Sequence, residues 1–229
     1  MKYTTLLMDA DETIFDFGKC EQEALRASLE HFGLGYTQEI NDTFSAINRR
    51  LWKELEMNNI TRSQLRVERF RKLIEKCFEG FENAQSLADR YIDELAGQAV
   101  LIDGAQEALK KLSGTFDIYI ITNGMKTVQR GRFAKSPVTE YIKKLYISDE
   151  LGVNKPSREF FDFVLEDIPE KDSRKLLVVG DSLSSDMQGG RNAGLDTCLY
   201  DPFCRTEMPN ELCDYRITGL EQIFGIAEV

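Results

Sequence analysis

The chain has 229 residues, 42% hydrophobic and 10% aromatic, enough for one large domain or for a core with a smaller second unit. A formal net charge of -10 argues against non-specific binding to nucleic acid polymers or anionic membrane, and no apolar run approaches the roughly 20 residues of a membrane span. The five cysteines (Cys20, Cys77, Cys198, Cys204 and Cys213) form no CxxC pair and His31 is the one histidine, which disfavours a disulfide framework, a zinc site and a Ser-His-Asp triad.

TTLLM (4–8) is a short apolar run of β-prone residues and is expected to be a buried strand. It stops at a cluster of acids, DADETIFD, holding Asp9, Asp11, Glu12 and Asp16. The N-terminal stretch before them has one lysine and too short an apolar run for a secretory signal, so a cytoplasmic location is expected. From about residue 18 to 97 the rhythm becomes helical. Four segments beginning at Cys20, Thr37, Thr61 and Asn83 repeat apolar residues at three-to-four spacing, and Thr61 with Gln64 forms a capping box for the third. Four such helices joined by short polar turns predict an all-helical bundle.

Strands and helices then alternate. A helix is expected from Asp103-Gly104 to Leu112, a strand over 116–122, a helix around 126–134 and a strand over 144–148. Further on come a helix over 157–168, ended by Pro169, a strand over 175–180, a helix from about Ser184 to Asn192, strands at 196–200 and 215–217, and a last helix near 219–225. Continuously apolar strands alternating with helices predict a parallel sheet covered on both faces. The fold class is therefore α/β, with a core over 1–16 and 98–229 and a four-helix unit, 17–97, inserted after the first strand.

Ligands of an open parallel sheet gather outside the carboxyl ends of its strands. That rule brings together Asp9 and Asp11, Thr122 with Asn123 and Gly124, Asp181 and Asp186, with Lys155 on a loop able to reach the same edge. Converging carboxylates repel and raise one another's pKa unless a cation intervenes, and an all-oxygen set suits Mg²⁺. A lysine beside the metal and a donor turn leading into a helix suit an anionic substrate, so the set describes phosphoryl transfer. Each piece alone has a plainer account. An acid after a strand is often a cap or turn residue, Lys155-Pro156 reads as a solvated loop, Asp181-Ser182 caps a helix, and Asp186 suits a first helical turn.

DADET (9–13), IITNG (120–124), VNKP (153–156) and GDSLSSD (180–186) occur in that order. With the helical insertion between the first and second, the chain resembles the haloacid dehalogenase-like phosphohydrolases over nearly its whole length. The resemblance implies a Rossmann-like three-layer sandwich with a helical cap. Asp9 would be the nucleophile and Asp11 the acid and base. Mg²⁺ would sit on Asp9, the Asp11 carbonyl and Asp181, with Asp186 positioning it. Thr122, Asn123 and Lys155 would hold the phosphoryl group. Opening and closing of the cap would admit substrate and then exclude water.

Two features depart from the pattern. Glu12 stands where the family usually has glycine, either as an exposed turn residue or as a contact to the cap hinge. The segment MKTVQRGRFAKSPVTEYI (125–142) follows the family loosely. DADET with TNG is similar to a branch of pyrimidine 5'-nucleotidases. The partner is therefore expected to be a small phosphorylated metabolite, with neither a nucleic acid polymer nor a membrane, and the chain a monomer or homodimer. Alternatives are a phosphatase of phosphoglycolate or a sugar phosphate, a metal-free 2-haloacid dehalogenase, or a non-catalytic binding protein. Trp52 among Arg49, Arg50, Lys53, Arg62, Arg66 and Arg69 could stack on a base, but the plainer expectation is interhelical packing for the ring and solvated, glutamate-paired faces for the basic residues.

Overall fold

A computed structural model describes residues 1–57 and 59–227. It divides into two compact units, Met1–Phe17 with Ala99–Val229, and Gly18–Gln98. In chain order the elements are β1 (Thr5–Met8), α1 (Phe17–His31), α2 (Gln38–Glu56), α3 (Arg62–Cys77), α4 (Ala84–Gly97), α5 (Ala105–Leu112), β2 (Asp117–Thr122) and α6 (Lys126–Lys135). They continue with β3 (Lys144–Ile147), α7 (Ser148–Leu151), α8 (Arg158–Asp167), β4 (Leu176–Gly180), α9 (Gln188–Ala193), β5 (Asp196–Tyr200), β6 (Tyr215–Ile217) and α10 (Ile223–Ile226). No described helix is long and apolar enough to cross a membrane.

The inserted unit is helical because its apolar residues fall on one face of each segment. Phe44, Ile47, Leu51 and Leu55 are buried on α2, and Leu87, Ala88, Tyr91, Ile92 and Leu95 on α4. Starts are fixed by Thr37, whose hydroxyl accepts from Ile40 N, by the Thr61–Gln64 capping box and by Asn83 accepting from Ser86 N. Phe44, Phe70 and Tyr91 meet with ring centroids 5.0 to 5.3 Å apart. Two basic residues differ from the expectation of solvated, glutamate-paired faces. Arg69 is buried and donates to Asn48 Oδ1, because α3 turns it inward with Leu65, Phe70 and Leu73. Arg66 pairs with Asp89 on α4 instead of with a glutamate.

The other unit carries a six-stranded parallel sheet in the order β3-β2-β1-β4-β5-β6. Side chains alternate between two apolar layers. Leu6, Met8, Ile118, Ile120, Leu177 and Val179 face one, and Leu7, Tyr119, Ile121, Leu176 and Val178 the other. Both faces are thus covered, as the apolar strands predict. β1 lies between β2 and β4, and strand order reverses around it, so the β1 end is where such a sheet opens a crevice.

Several segments depart from the expected elements, among them short 3₁₀ turns at Pro137–Tyr141 and Ser173–Lys175. The helix expected from Ser184 begins as a wide π-type turn, Leu183–Met187, before α9, because Asp186 N and Met187 N both donate to Ser182 O at 3.0 and 3.1 Å. α7 is a single unforeseen turn closed by Gly152 at φ 76. The last helix starts as a 3₁₀ turn, Leu220–Gln222, ahead of α10.

Candidate active site

β1 ends at Met8, and Asp9 follows with its N–H on Val179 O of β4 at 2.8 Å, so the carboxylate leaves the sheet at its carboxyl edge. Lys155 reaches the same point from the loop before α8. Its ammonium, buried, donates to Asp9 Oδ1 (2.6 Å), Asp186 Oδ1 (2.6 Å) and Ile121 O (2.7 Å). All three of its hydrogens are therefore taken by protein oxygens. Lys155 thus binds Asp9 through Oδ1 and leaves Asp9 Oδ2 as the oxygen it does not hold.

Asn123 shares two hydrogen bonds with the Lys155 peptide unit: its Nδ2 donates to Lys155 O and its Oδ1 accepts from Lys155 N, both at 2.9 Å. Its side chain thus fixes the lysine loop. The Gly124 amide, expected to face a phosphate, donates instead to Thr122 Oγ1 at 3.0 Å, which holds the buried Thr122 hydroxyl at the end of β2. Asp186 Oδ2 accepts from Ser182 N at 3.1 Å, and Ser182 Oγ caps Ser185 N. A Cβ at Gly180 would overlap the Asp186 carboxylate, so glycine is required where β4 passes it.

Electrostatics follow from this crowding. Burial, with the charges of Asp186 and Asp11, pushes Asp9 up to about 7 against the opposing pull of Lys155. Asp181 is also pushed well above the carboxylate range, first by desolvation and then by Asp186, Asp9 and Glu12, although its exposed face lets solvent moderate the push. Lys155 is desolvated too, but Asp186 and Asp9 hold it as the cation, above its ordinary value.

The oxygens of Asp9, Asp181 and Asp186 lie within 4.8 Å of one another. Three carboxylates face one ammonium, an excess of two negative charges, and their donor atoms are all hard oxygens. A divalent cation of the Mg²⁺ type fits that set. Asp186 has both oxygens engaged by Lys155 and Ser182, so Asp9 and Asp181 are the freer ligands.

Asp11 sits on the loop that follows β1. Glu12 takes φ 58, a left-handed conformation costly for a residue with a side chain, and is exposed. Its N–H donates to Phe15 O at 2.8 Å, and Phe15 bridges to Leu101, while Asp16 N donates to Val100 O just ahead of α1. The carboxylate of Asp11 meets two residues that the sequence pattern did not single out. Gln129 Nε2 donates to Asp11 Oδ2 at 2.7 Å, and Arg132 forms an ion pair with Asp11 Oδ1. Both are buried and stand three positions apart on one face of α6. That i, i+3 spacing was the available signal, inside the segment that matched the family only loosely.

A family model for haloacid dehalogenase-like hydrolases matches residues 3–194. A Bacillus subtilis protein named only as a HAD-hydrolase, YfnB, is 34% identical over 229 residues, covering 100% of this chain and 97% of its own. Its crystal structure, described as bound to magnesium and revealing interdomain movement, matches with a TM-score of 0.93 over the whole of both chains. The pyrimidine 5'-nucleotidase PynA of Streptococcus pneumoniae is 36% identical over 88% of this chain and 85% of its own, and the pyrimidine 5'-nucleotidase YjjG of Escherichia coli 31% identical over 97% of both.

Proposed function

The chain belongs to the haloacid dehalogenase-like hydrolases, and from that premise we propose that it is a Mg²⁺-dependent phosphomonoesterase acting on pyrimidine nucleoside 5'-monophosphates. One juxtaposition carries the chemistry: a buried Lys155 bonded to Asp9 and Asp186, with Asp181 beside them and Asp11 two residues from Asp9 on the same loop. The nucleotide assignment is supported by the two relatives named pyrimidine 5'-nucleotidase, which match over most of their lengths.

The Asp9 carboxylate attacks phosphorus, the ester P–O bond breaks, and Asp11 gives its proton to the departing 5' oxygen. Asp11 then takes a proton from water, whose oxygen attacks the aspartyl-phosphate. The acyl-phosphate P–O bond breaks, releasing phosphate and the Asp9 carboxylate. Asp9, the Asp11 carbonyl and Asp181 would hold Mg²⁺, with Asp186 setting their arrangement, and the bound ion supplies charge neutralisation at the phosphoryl oxygens. Thr122 offers its hydroxyl hydrogen to the phosphoryl group. Lys155 adds positive charge and keeps the Asp9 carboxylate oriented, and Asn123 keeps Lys155 in place.

The test is phosphate release with Mg²⁺ from UMP, dUMP and dTMP against purine monophosphates, sugar phosphates and phosphoglycolate. Preference for the pyrimidine compounds, abolished by EDTA, is the expected result. Equal rates across the panel would withdraw the nucleotide assignment, and halide release from a 2-haloacid in EDTA would withdraw the phosphatase. Asp9→Asn should lower kcat by on the order of a thousandfold or more while Mg²⁺-dependent nucleotide binding stays measurable. Unchanged turnover would remove Asp9 as nucleophile.

A further inference from the structure

The geometry points to Gln129 and Arg132 as positioning residues that hold the Asp11 carboxylate in its proton-transfer orientation. This rests on Asp11 serving as the acid and base of the proposed hydrolysis. Asp11 lies on a loop whose next residue, Glu12, is in the left-handed region, and its side chain remains partly open to solvent. Left alone, such a carboxylate samples several rotamers. Here α6 supplies one donor to each oxygen, Gln129 Nε2 to Oδ2 at 2.7 Å and Arg132 to Oδ1. Each oxygen has two lone-pair directions, so one on each remains for the reacting groups.

Both donors are themselves held. The Arg132 guanidinium is fully buried, with its Cζ 4.5 Å from the Phe15 ring centre and 5.8 Å from that of Phe17. Phe15 in turn pairs through its backbone with Asp11 and packs edge-on against Phe133, 5.0 Å away, so one residue braces the loop through its backbone and the arginine through its ring. Gln129 passes Gly124, where a Cβ would overlap its side-chain amide. Its own Oε1 is buried with no partner among the described residues. Flipping the amide would aim that oxygen at the ionised carboxylate, so the donating orientation is the one that holds Asp11 in that state. A buried acceptor left unmade opposes folding. The side chain therefore serves Asp11 at the expense of local stability.

The discriminating measurement compares leaving groups in single turnover. Nitrophenolate departs from p-nitrophenyl phosphate without needing a proton, whereas the 5' oxygen of UMP needs one. Asp11→Asn should slow nucleoside release from UMP and spare the nitrophenolate burst. If it slows both equally, Asp11 is not the proton donor, and both that role and the positioning inference fall. Given the expected Asp11→Asn result, Gln129→Leu and Arg132→Lys should each lower nucleoside release by about tenfold or more and leave the burst within about twofold. Gln129→Leu also removes the unpaired oxygen, so its melting temperature should equal or exceed that of the parent. Equal losses with both substrates, or no loss with UMP, overturn the inference. A Gln129→Leu protein that melts lower and slows both reactions marks the residue as structural. Because Gln129→Leu keeps side-chain bulk on α6, it decides between these outcomes even if the arginine variant does not fold.

Discussion

Lys155 commits its three hydrogens to Asp9, Asp186 and Ile121 O, and two carboxylates in a buried site depend on it. Lys155→Met should therefore cost about 3–5 kcal/mol in the metal-free protein, measured by denaturant unfolding, because it strands buried charge. A cost below about 1 kcal/mol would mean that the carboxyls have taken up protons instead. The raised carboxyls also set a pH dependence. Asp9 is pushed up to about 7 from the ordinary 3.8, so between those values the folded protein holds more protons than the unfolded chain. Metal-free stability from this group accordingly falls as pH rises through that window. Mg²⁺ must displace those protons and binds more tightly as pH rises. The gain in melting temperature on adding Mg²⁺ should thus be larger at about pH 8 than at about pH 5.5; a gain that is flat or reversed with pH counts against Asp9 and Asp181 as ligands. The convergence of Asp9, Asn123, Lys155, Asp181 and Asp186 at one edge was legible because each follows a strand or lies in a motif loop. The contacts of Gln129 and Arg132 with Asp11 were not, since KTVQRGRFAK has the composition of a solvated helix and only the return of the Asp11 loop to that face brings them together.

At the scale of elements, the helical bundle contains a polar seam that periodicity did not reveal. Glu21 on α1 accepts from Asn48 Nδ2 at 2.5 Å and from Ser45 Oγ at 2.6 Å, and Asn48 Oδ1 accepts from Arg69 at 3.2 Å. Arg69 also lies against the Tyr91 ring, 4.6 Å from its centre, with Nε and Nη2 buried and without a hydrogen-bond partner among the described residues. Burial lowers its pKa from the ordinary arginine range, with Tyr91 and Glu21 opposing. Removing one partner of such a set strands the other, whereas an apolar replacement of the least satisfied member costs little. Glu21→Ala should destabilise the protein by about 3–5 kcal/mol in thermal unfolding, and Arg69→Met by less than about 1 kcal/mol. The reverse ranking would mean that Arg69 is satisfied by ordered water. Helix starts were legible in detail, as at Thr61, because a cap is a local exchange of hydrogen bonds between side chain and backbone. The π turn at 183–187 was not, because it follows from how Ser182 O is shared.

For the molecule as a whole, every carboxylate of the cluster that fits a cation belongs to one of the two units, and Trp52, the sole tryptophan, belongs to the other. A ligand stabilises the cooperative unit that binds it. Mg²⁺ should therefore raise the main transition followed by circular dichroism more than the one followed by Trp52 fluorescence. Coincident shifts would show both units unfolding as one. The sheet order also has a consequence for how the chain is made. β1 is translated before the other strands of the sheet yet stands in its middle, where Thr5 pairs with Asp117 on one side and with Leu176 on the other. On a ribosome the helical insertion can condense while β1 still lacks both neighbours. Pairing so distant in sequence is slow to close, and an unpaired apolar strand is prone to association. Nascent chains arrested before β4 should then expose TLLM to chaperones and have no phosphatase activity, since the Asp9 N–H has no Val179 carbonyl to fix it until that strand emerges.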